Sequence, residues 1–462
     1  MNAKNRVSLA LSSALSATSM CLGLVCAPAH AYELYSQDGL DLSANLTIAV
    51  GAISSEKSYS TVGLRTEDER QTWYEGYAKY GLAAEYTPGN AGTFFGALGL
   101  YSGINRGDGG AAGITTGDEE DTALDVAYVG WRSGDLFPAL GEDGVKISVG
   151  RQFFQIGSGF LIGGDRVNLG EGFAEAIPAT PAGTARGGGA YYLGGFASFR
   201  NTAILSLGGN GGLHADLFWL ESGNNYQGDG SFAGANLEYR DQTYGTIGFT
   251  YLRGLHVQDN EAAFFARFYR EDQNIWSVRG QTSLGLAGLF LAGQYVHEDD
   301  GNDDVAADHE AHAWYGQAGW TFSNVTWTPA LTYRFSSFSK HYDPLFYGFN
   351  DFGTWYQGEV AANYAGPFSA NTDIHLVRMT VNPTKKLVVG VNYFAFTDTA
   401  GGGSNLDADE LDLYAWWSVL PHVTISPLIG FYKPEKAAAE GGTQIGDDDT
   451  NTYVQLILLL TF

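Results

Sequence analysis

The residues that could do chemistry in this sequence are a few histidines, three acidic runs and a set of scattered basic side chains. His297, His309 and His312 lie around one acidic segment, while His375 and His422 are isolated. Hydrolysis would need a serine or an acid within reach of a histidine, and no G-x-S-x-G motif is present. The histidines therefore indicate polar loop and interface residues, and we expect no enzymatic activity.

The acidic runs could in principle hold a divalent cation. They are residues 118–121, the segment 298–310 and residues 447–449. None has the twelve-residue spacing, the mid-loop glycine and the terminal glutamate of a calcium loop. We expect solvated loops next to lipopolysaccharide that bind divalent cations loosely at most, with no cofactor and no defined metal site.

The basic residues suggest a different chemistry, the discrimination of solutes by charge. They stand where polar and apolar residues alternate, so they would share one polar face. Arginine grips carboxylates through paired hydrogen bonds, which lysine cannot do. The set comprises Lys79, Lys146, Arg151, Arg200, Arg279, Arg334 and Arg378.

Alternation of this kind is the mark of β-strands with one polar face and one apolar face. In segment 325–336, VTWTPALTYRFS, the odd positions are apolar or aromatic, and most even positions are polar. Aromatic residues near the segment ends are typical of membrane interfaces.

The same alternation recurs along the chain and predicts eighteen strands. Connections are short after every second strand and long after the others, as in transmembrane barrels. The run 262–271 is placed in a long connection, because one further strand would break this order. The predicted strands are 40–51, 72–86, 92–105, 122–134, 144–154, 196–208, 213–222, 231–240, 243–255, 273–284, 286–299, 311–323, 325–339, 373–384, 386–399, 411–421, 423–434 and 452–462.

The fold predicted for residues 32–462 is an all-β, transmembrane antiparallel β-barrel of about 18 strands. No segment in this range approaches the length of an apolar membrane helix. A closed barrel is the remaining way to cross a bilayer, because every backbone group then pairs between strands. Short periplasmic turns and long extracellular loops are expected. The final strand ends in Phe462, which resembles the signal read by the barrel-assembly machinery.

Residues 1–31 are predicted to be a secretory signal peptide. A basic start and an apolar stretch are followed by Ala29-His30-Ala31, a small-residue cleavage site. We expect Sec-type export to the periplasm and the outer membrane of a Gram-negative bacterium. Both cysteines lie within this segment, so no disulfide is expected. The remaining chain carries 51 acidic residues and no basic tract, which excludes nucleic acid as a partner.

Taking the more apolar face of each strand as lipid-facing sorts the charged residues by direction. Arg200 is predicted to point inward, opposite an outward Phe199. Arg151 falls on the outer face by strict alternation, but a bulge at Gly150 would turn it inward. An arginine facing lipid at mid-bilayer would cost about 2–4 kcal/mol, so we predict the inward direction. The remaining basic residues of the set are predicted inward, as are the acids Glu75, Glu85, Asp125, Asp216 and Asp412.

Several segments resemble the alginate-export family of bacterial outer-membrane porins. They are residues 343–359, the strand with Arg378 and its Pro383-Thr384 turn, and Gly150-Arg151-Gln152 with the loop 162–166. The resemblance implies an eighteen-stranded barrel with an arginine-rich constriction that passes anionic polysaccharide or smaller anions. The high negative charge departs from this pattern.

Two long loops, 155–195 and 340–372, are expected to fold over or into the pore. The second contains the aromatic stretch DPLFYGFNDFGTWYQGE, whose rings need a surface to pack on. Its three acids should be fixed by barrel-wall arginines or by backbone N–H groups. The constriction candidates are Asp165, Arg166, Asp343, Asp351, Trp355, Tyr356 and Glu359.

Together these observations predict a channel for small anionic solutes, such as uronates or anionic saccharides including alginate, in contact with outer-membrane lipid and lipopolysaccharide. A general diffusion porin with structural arginines is the alternative, and an outer-membrane enzyme is a weaker one. The oligomeric state and the direction of transport stay open.

Overall fold

A computed structural model of the chain describes residues 31–60, 64–167, 169–185, 188–299, 310–348, 357–365, 370–399 and 406–462. Apart from Ala31, the predicted signal peptide lies outside these residues. The strands are β1 (Tyr32–Gln37), β2 (Leu40–Ser55), β3 (Gln71–Tyr86), β4 (Thr93–Gly107), β5 (Asp118–Arg132), β6 (Val145–Gln152), β7 (Phe199–Leu207), β8 (Gly212–Glu221), β9 (Ser231–Asp241), β10 (Gly245–His256), β11 (Asn274–Thr282), β12 (Leu289–Asp299), β13 (Ala311–Thr321), β14 (Ala330–Phe338), β15 (Thr372–Thr384), β16 (Leu387–Asp398), β17 (Ala408–Leu420), β18 (Val423–Pro434) and β19 (Asn451–Thr461).

Helical segments are few and short. The run 262–271 lies in a long connection, as predicted, where it forms most of a short helix and a 3-10 turn. Across the described ranges, no helix is long and apolar enough to span a membrane. The helices are α1 (Glu171–Ala176), α2 (Asp259–Phe265) and a π-helical turn (Ala361–Ala365), and the 3-10 turns are Gly134–Leu136, Pro138–Leu140, Asn225–Gln227, Phe268–Arg270 and Ala438–Glu440.

Strands β2 to β19 form a closed antiparallel barrel. Each strand pairs with the next along the chain, and β19 closes the ring by pairing with β2, where Leu456 lies opposite Ala52. All eighteen predicted strands are present, which confirms the predicted fold class. We call the two rims of the barrel the short-turn end and the long-loop end, after the connections that they carry.

One strand was not predicted. β1 pairs with the first residues of β2 through a tight turn in which Asp38 and Gly39 have φ of 54° and 77°. Farther along, the backbone of Leu46 exchanges hydrogen bonds of 2.9 and 2.8 Å with Phe462 at the end of β19. β1 and β19 therefore share one edge of β2. Six residues beside the predicted cleavage site are too few to show the alternation.

The faces of the strands follow the predicted alternation. On β14, Leu331 and Tyr333 are 49% and 45% exposed on the outside, whereas Arg334 and Ser336 are buried on the inside. This strand begins later than predicted, because residues 322–329 form a turn closed by the Phe322 N–H and the carbonyl of Pro329. Proline has no N–H group with which to continue the ladder.

A bulge at Gly150 turns Arg151 into the barrel. Gly150 has a φ of 123°, and the pairing of β6 with β7 shifts by a residue between Gly150 and Gln152. A side chain at Gly150 would collide with the carbonyl of Ala127, 2.3 Å away. Arg151 is consequently 9% exposed, whereas the preceding outward residue Val149 is 45% exposed.

The apolar core lies inside the barrel, near the long-loop end. Large aromatic side chains from the wall and from the connections meet there and are fully buried. Examples are Tyr59, Trp73, Tyr192, Tyr364 and Tyr453. Aromatic side chains therefore pack together inside the barrel near the long-loop end.

Candidate functional site

Two long connections turn into the barrel and touch each other there. We call residues 153–198 the first inward loop and residues 339–371 the second inward loop. Gly163 N–H donates to the carbonyl of Phe346 at 2.7 Å, and Gly348 N–H donates to that of Gly159 at 2.9 Å. A Cβ on Gly163 would lie 2.6 Å from the Cα of Gly348, so glycine is required for this approach.

The aromatic residues of the second inward loop pack on the barrel wall. The ring of Phe346 lies 4.8 Å from that of Phe199 and 5.1 Å from that of Phe232, between centroids. The prediction that Phe199 faces outward is wrong. The bulge in β6 shifts the register at this point, and Phe199 is fully buried against the loop.

Phe160 of the first inward loop occupies a second aromatic pocket. Its ring lies 5.0 Å from Tyr315 and 5.6 Å from Phe338, both on the wall, and 5.8 Å from Tyr347 of the second loop. Such offset and edge-to-face contacts fix ring orientation beyond simple burial. The two loops and the wall therefore form one packed unit.

Glu75 holds the first inward loop by its backbone. It lies on the inner face of β3, is 1% exposed, and accepts the N–H groups of Tyr192 and Leu193 at 2.8 and 3.1 Å. The amide of Asn105 donates to its other oxygen at 3.3 Å. Buried backbone donors need such acceptors. Glu75 thus lies on the inner face of β3, where it binds the first inward loop.

Glu410 holds the backbone of the second inward loop as Glu75 holds that of the first, and it was not among the residues predicted from the sequence. This fully buried residue of β17 accepts the N–H groups of Glu359, Val360 and Ala361 at 2.6, 3.0 and 2.7 Å. Three consecutive donors on one carboxylate hold the backbone of the segment 357–365 against the wall. Glu359 itself accepts a hydrogen bond from the hydroxyl of Tyr192, which joins the two loops.

Two further glutamates come from the runs predicted to be solvated loops, and that prediction is wrong for both. Glu119 belongs to β5, is 2% exposed, and accepts the N–H group of Thr116 at 2.6 Å. Glu298 of β12 is 1% exposed and accepts the N–H group of Asp343 at 2.9 Å. Both carboxylates point into the barrel, where backbone donors compensate their burial.

Asp343 is fixed by an arginine, although that arginine does not lie on the barrel wall as predicted. Arg270, in the connection between β10 and β11, donates to both carboxylate oxygens at 2.6 and 2.7 Å, and Tyr269 adds a hydroxyl at 2.7 Å. Burial alone would raise the pKa of Asp343, but the guanidinium groups of Arg270 and Arg267 hold that pKa well below its usual range.

Asp165 of the first inward loop is buried among neutral donors. It accepts the hydroxyl of Ser222 at 2.8 Å and the N–H group of Gly223 at 3.0 Å. Burial raises the pKa of Asp165 to about 6, although these two hydrogen bonds hold it lower than burial alone would. Its neighbour Arg166 donates to the carbonyl of Gly163 at 2.6 Å and lies over the Phe153 ring.

Arg279 lies flat on the inner wall inside a hydrogen-bond network. It donates to Thr250 at 2.8 Å and to Asn236 at 2.7 Å, and it forms an ion pair with Glu238. The guanidinium is 7% exposed. Arg240, which the sequence analysis did not select, pairs with the same glutamate at 2.6 Å.

Several other predicted residues are also paired. Lys79 forms an ion pair of 3.1 Å with Asp125, and Arg200 forms one of 2.8 Å with Asp229. Asp216 accepts hydrogen bonds from Ser206 and Asn236 and lies 3.2 Å from the ring of His214. Arg132, also not predicted, binds Glu85 through both nitrogens.

The remaining basic residues differ in their surroundings. Arg334 is buried at 3% exposure, and the Nε of Arg378 donates to the neutral amide of Asn392 at 2.8 Å. Lys146 is exposed on the inner face near the short-turn end, 5.2 Å from the ring of Phe95. Lys146 lies directly opposite Arg132 in the sheet, and Arg132 forms ion pairs with Glu85 at 2.6 Å and with Asp143 at 3.6 Å.

Three constriction candidates, Asp351, Trp355 and Tyr356, lie outside the described residues, so their prediction is not tested. In the part of the chain that the structure describes, no group of three or more His, Cys, Asp or Glu side chains converges to hold a metal ion.

Comparison of the fold identifies solved structures of outer-membrane proteins from pseudomonads. A BenF-like porin from Pseudomonas fluorescens Pf-5 has a TM-score of 0.56 at 11% identity, over 91% of this chain and 98% of that chain. The outer membrane protein opdK from Pseudomonas aeruginosa gives 0.55 at 10% identity, over 91% and 99%. OccK11 (OpdR) of the same species gives 0.52 at 12% identity, over 91% and 96%.

Sequence comparison adds nothing to this, since no protein-family model and no curated protein matches the chain. The structural likeness supports a porin fold and does not single out the alginate-export family. At these identities the likeness concerns the fold alone. The chain therefore has the barrel fold of bacterial outer-membrane porins, with two inward loops held by buried glutamates.

Proposed function

We propose that this chain is an outer-membrane porin that passes small anionic solutes by diffusion and performs no enzymatic reaction. The porin fold and the polar inner wall support a channel. A Gram-negative outer membrane, reached by Sec-type export, is the corresponding location. The barrel wall contacts lipid, and lipopolysaccharide would surround the long-loop end.

The observation that carries the preference for anions is the placement of Lys146. Its ammonium is exposed at the short-turn mouth, beside Arg132, and within the described ranges it forms no ion pair. A cation at the mouth of a channel raises the local concentration of anions and favours their entry. Deeper in the barrel, Arg334 and Arg378 stand on the adjacent strands β14 and β15.

The narrower proposal concerns the substrate class, which would be carboxylate-bearing saccharides such as uronates or alginate fragments. A guanidinium binds a carboxylate through two parallel hydrogen bonds, and the Nε of Arg378 donates to the neutral amide of Asn392 on the inner wall. The resemblance of residues 343–359 to alginate-export porins supports the same class. Uptake of glucuronate and of glucose into liposomes would compare the acid with its neutral analogue.

Reversal potentials across planar bilayers under a KCl gradient test the charge preference. We expect anion selectivity at neutral pH and a shift toward cations in Lys146→Ala and Arg378→Ala. Arg253→Ala, on the outer face near the long-loop end, is the matched control and should leave the reversal potential unchanged. Cation selectivity that neither inner variant alters would refute the proposal.

A second candidate, a general diffusion porin with structural arginines, is favoured by Arg279 and Arg200. Both guanidinium groups are engaged by carboxylates of the wall or of nearby loops, which leaves little charge for a solute. This candidate predicts weak selectivity and similar uptake of charged and neutral sugars. The same reversal potentials separate it from the first proposal.

Insertion would use the last strand. Phe462 is 41% exposed, and its ring stacks 5.0 Å from that of His422, beside the seam with β2. We propose that the barrel-assembly machinery reads this strand. Deletion of Phe462 should lower the amount of heat-modifiable, folded barrel in outer membranes. The amount of soluble precursor should stay the same.

A further inference from the structure

The inner face of β17 carries two acids that lie against each other. Glu410 and Asp412 are two residues apart on this strand, so their carboxyl groups lie side by side on its inner face, and both residues are fully buried. Two carboxylates in such contact cannot both be ionised without strong repulsion.

The oxygens of Glu410 are already engaged. Oε1 accepts the N–H groups of Glu359 and Val360, and Oε2 accepts that of Ala361. Hydrogen bonds from backbone donors are stronger when the acceptor is ionised. Glu410 is therefore the member of the pair that carries the negative charge.

Asp412 has the opposite surroundings. Among the described residues, neither of its carboxylate oxygens has a partner with a fixed donor hydrogen. A charged and buried carboxylate in that position would be uncompensated. The hydrogen bond open to Asp412 is one that it donates to Glu410, and this requires a proton on Asp412.

We infer that Glu410 and Asp412 share one buried proton, and that this proton keeps the segment 357–365 docked inside the barrel. With the proton present, the pair carries a single charge that matches the three backbone donors. Without it, two adjacent negative charges repel, and the contact with the segment is weakened.

Other charged or titratable groups face the pair from each neighbouring element. Glu359 of the second inward loop adds negative charge, and Arg378 of β15 is the cation that opposes it. The tyrosines nearest to Glu410 are Tyr59, Tyr432 and Tyr453. Loss of the proton would therefore place at least two negative charges against one positive charge.

The docked segment also supports the first inward loop. The ring of Tyr364 stacks on that of Tyr192 at 5.8 Å with an angle of 5° between the planes, and it lies 6.2 Å from Tyr453. Release of residues 357–365 would remove this stack. The pair thus acts as a proton-dependent latch on the segment 357–365.

Hydrogen exchange of the full-length barrel in detergent micelles tests the latch directly. The protection of the amides of Glu359, Val360 and Ala361 is measured between about pH 6 and pH 9.5, with correction for intrinsic exchange rates. In the wild type we expect protection to fall at least about tenfold as the pH rises. Asp412→Asn, which keeps a neutral donor that cannot ionise, should retain its protection throughout.

Asp409→Asn is the matched control, because Asp409 lies on the same strand and faces outward, where it accepts the hydroxyl of Tyr393. It should behave as the wild type does. If Asp412→Asn fails to fold, Asp412→Ser supplies another neutral donor with the same expectation. Constant protection in the wild type, or an equal alkaline loss in the Asp412 variants, would overturn the inference. Exchange is measured without ion flow, so its outcome is independent of the proposed anion selectivity.

Discussion

Asp165 and Asp343 make an instructive pair, since each lies in one of the two inward loops and each is buried inside the same barrel. Asp343 is gripped by the guanidinium of Arg270, and its pKa lies well below the usual range. In the described ranges the hydrogen bonds to Asp165 come from the neutral donors Ser222 and Gly223, and burial raises its pKa to about 6 although Arg151 lies nearby. Burial is thus common to both, and the partner decides whether the charge stabilises the fold. The two loops should respond to pH in opposite directions.

The largest expected effect comes from removing the cation beside Asp343. Arg270→Met leaves a buried carboxylate without its partner and should lower the free energy of unfolding by about 3–5 kcal/mol at pH 7. The pKa of Asp343 is depressed in the folded state, so its contribution is present above the ordinary aspartate pKa and fades as the pH falls below about 4. Urea titration of the barrel in detergent at pH 7 and at pH 3 measures the difference. An equal loss at both pH values would contradict this account.

The next effect has the opposite sign and concerns Asp165. Its raised pKa means that stability is present below the ordinary aspartate pKa and is lost as the pH rises through about 6. Asp165→Asn keeps an oxygen that accepts the same bonds and should stabilise the fold by about 3 kcal/mol at pH 8. The two proteins should be equally stable at pH 3. A variant that is less stable at pH 8 would show that the charge of Asp165 is favourable.

A smaller effect is expected from removing a hydrogen-bond donor of Asp165. Ser222→Ala removes one of the two hydrogen bonds to Asp165, which should cost about 1–2 kcal/mol at pH 8. The loss should shrink below pH 6, where Asp165 is protonated and accepts weaker bonds. Thermal unfolding followed by gel mobility at both pH values would measure it. In an Asp165→Asn background the pH dependence of the loss should vanish.

The smallest effect belongs to a pair with the same chemistry on the surface. Arg253 and Asp272 lie 2.6 Å apart, as Arg270 and Asp343 do, but their side chains are 50% and 57% exposed. Solvent screens exposed pairs, so Arg253→Ala should leave the urea midpoint unchanged within error. A loss comparable to that of Arg270→Met would mean that distance, and not burial, sets the energy of these pairs.

The barrel was predictable because a strand in lipid repeats its pattern every second residue. Leu331, Tyr333 and Arg334 show the two faces within four positions, and the turn lengths then fix direction. β1 and the late start of β14 were not predicted, for local reasons. Six residues cannot establish a pattern, and Pro329 interrupts a ladder that the alternation alone would continue.

The site was less predictable because its contacts join distant parts of the chain. Residue types showed that Glu75 and Arg279 point inward, but not that one would bind a loop and the other a wall carboxylate. Glu119 and Glu298 stand in acidic runs, where composition suggested solvation. The partner of Asp343 lies 73 residues away, in a run that had been assigned only to a connection. The sequence shows which side chains are charged, whereas the partners that neutralise them are brought together only by the fold.

The small strand β1 has a consequence for how the barrel can close. One edge of β2 is covered by β1 up to Ala44, and the pairing of the C-terminal segment with this edge begins at Leu46, which bonds Phe462. β1 therefore prevents the last strand from sliding along β2 toward Ala44. A slip by one residue would carry Leu456 and its neighbours from lipid into the lumen. β1 thus blocks a slip of the seam toward Ala44, and it covers an edge of β2 that would otherwise be open to another strand.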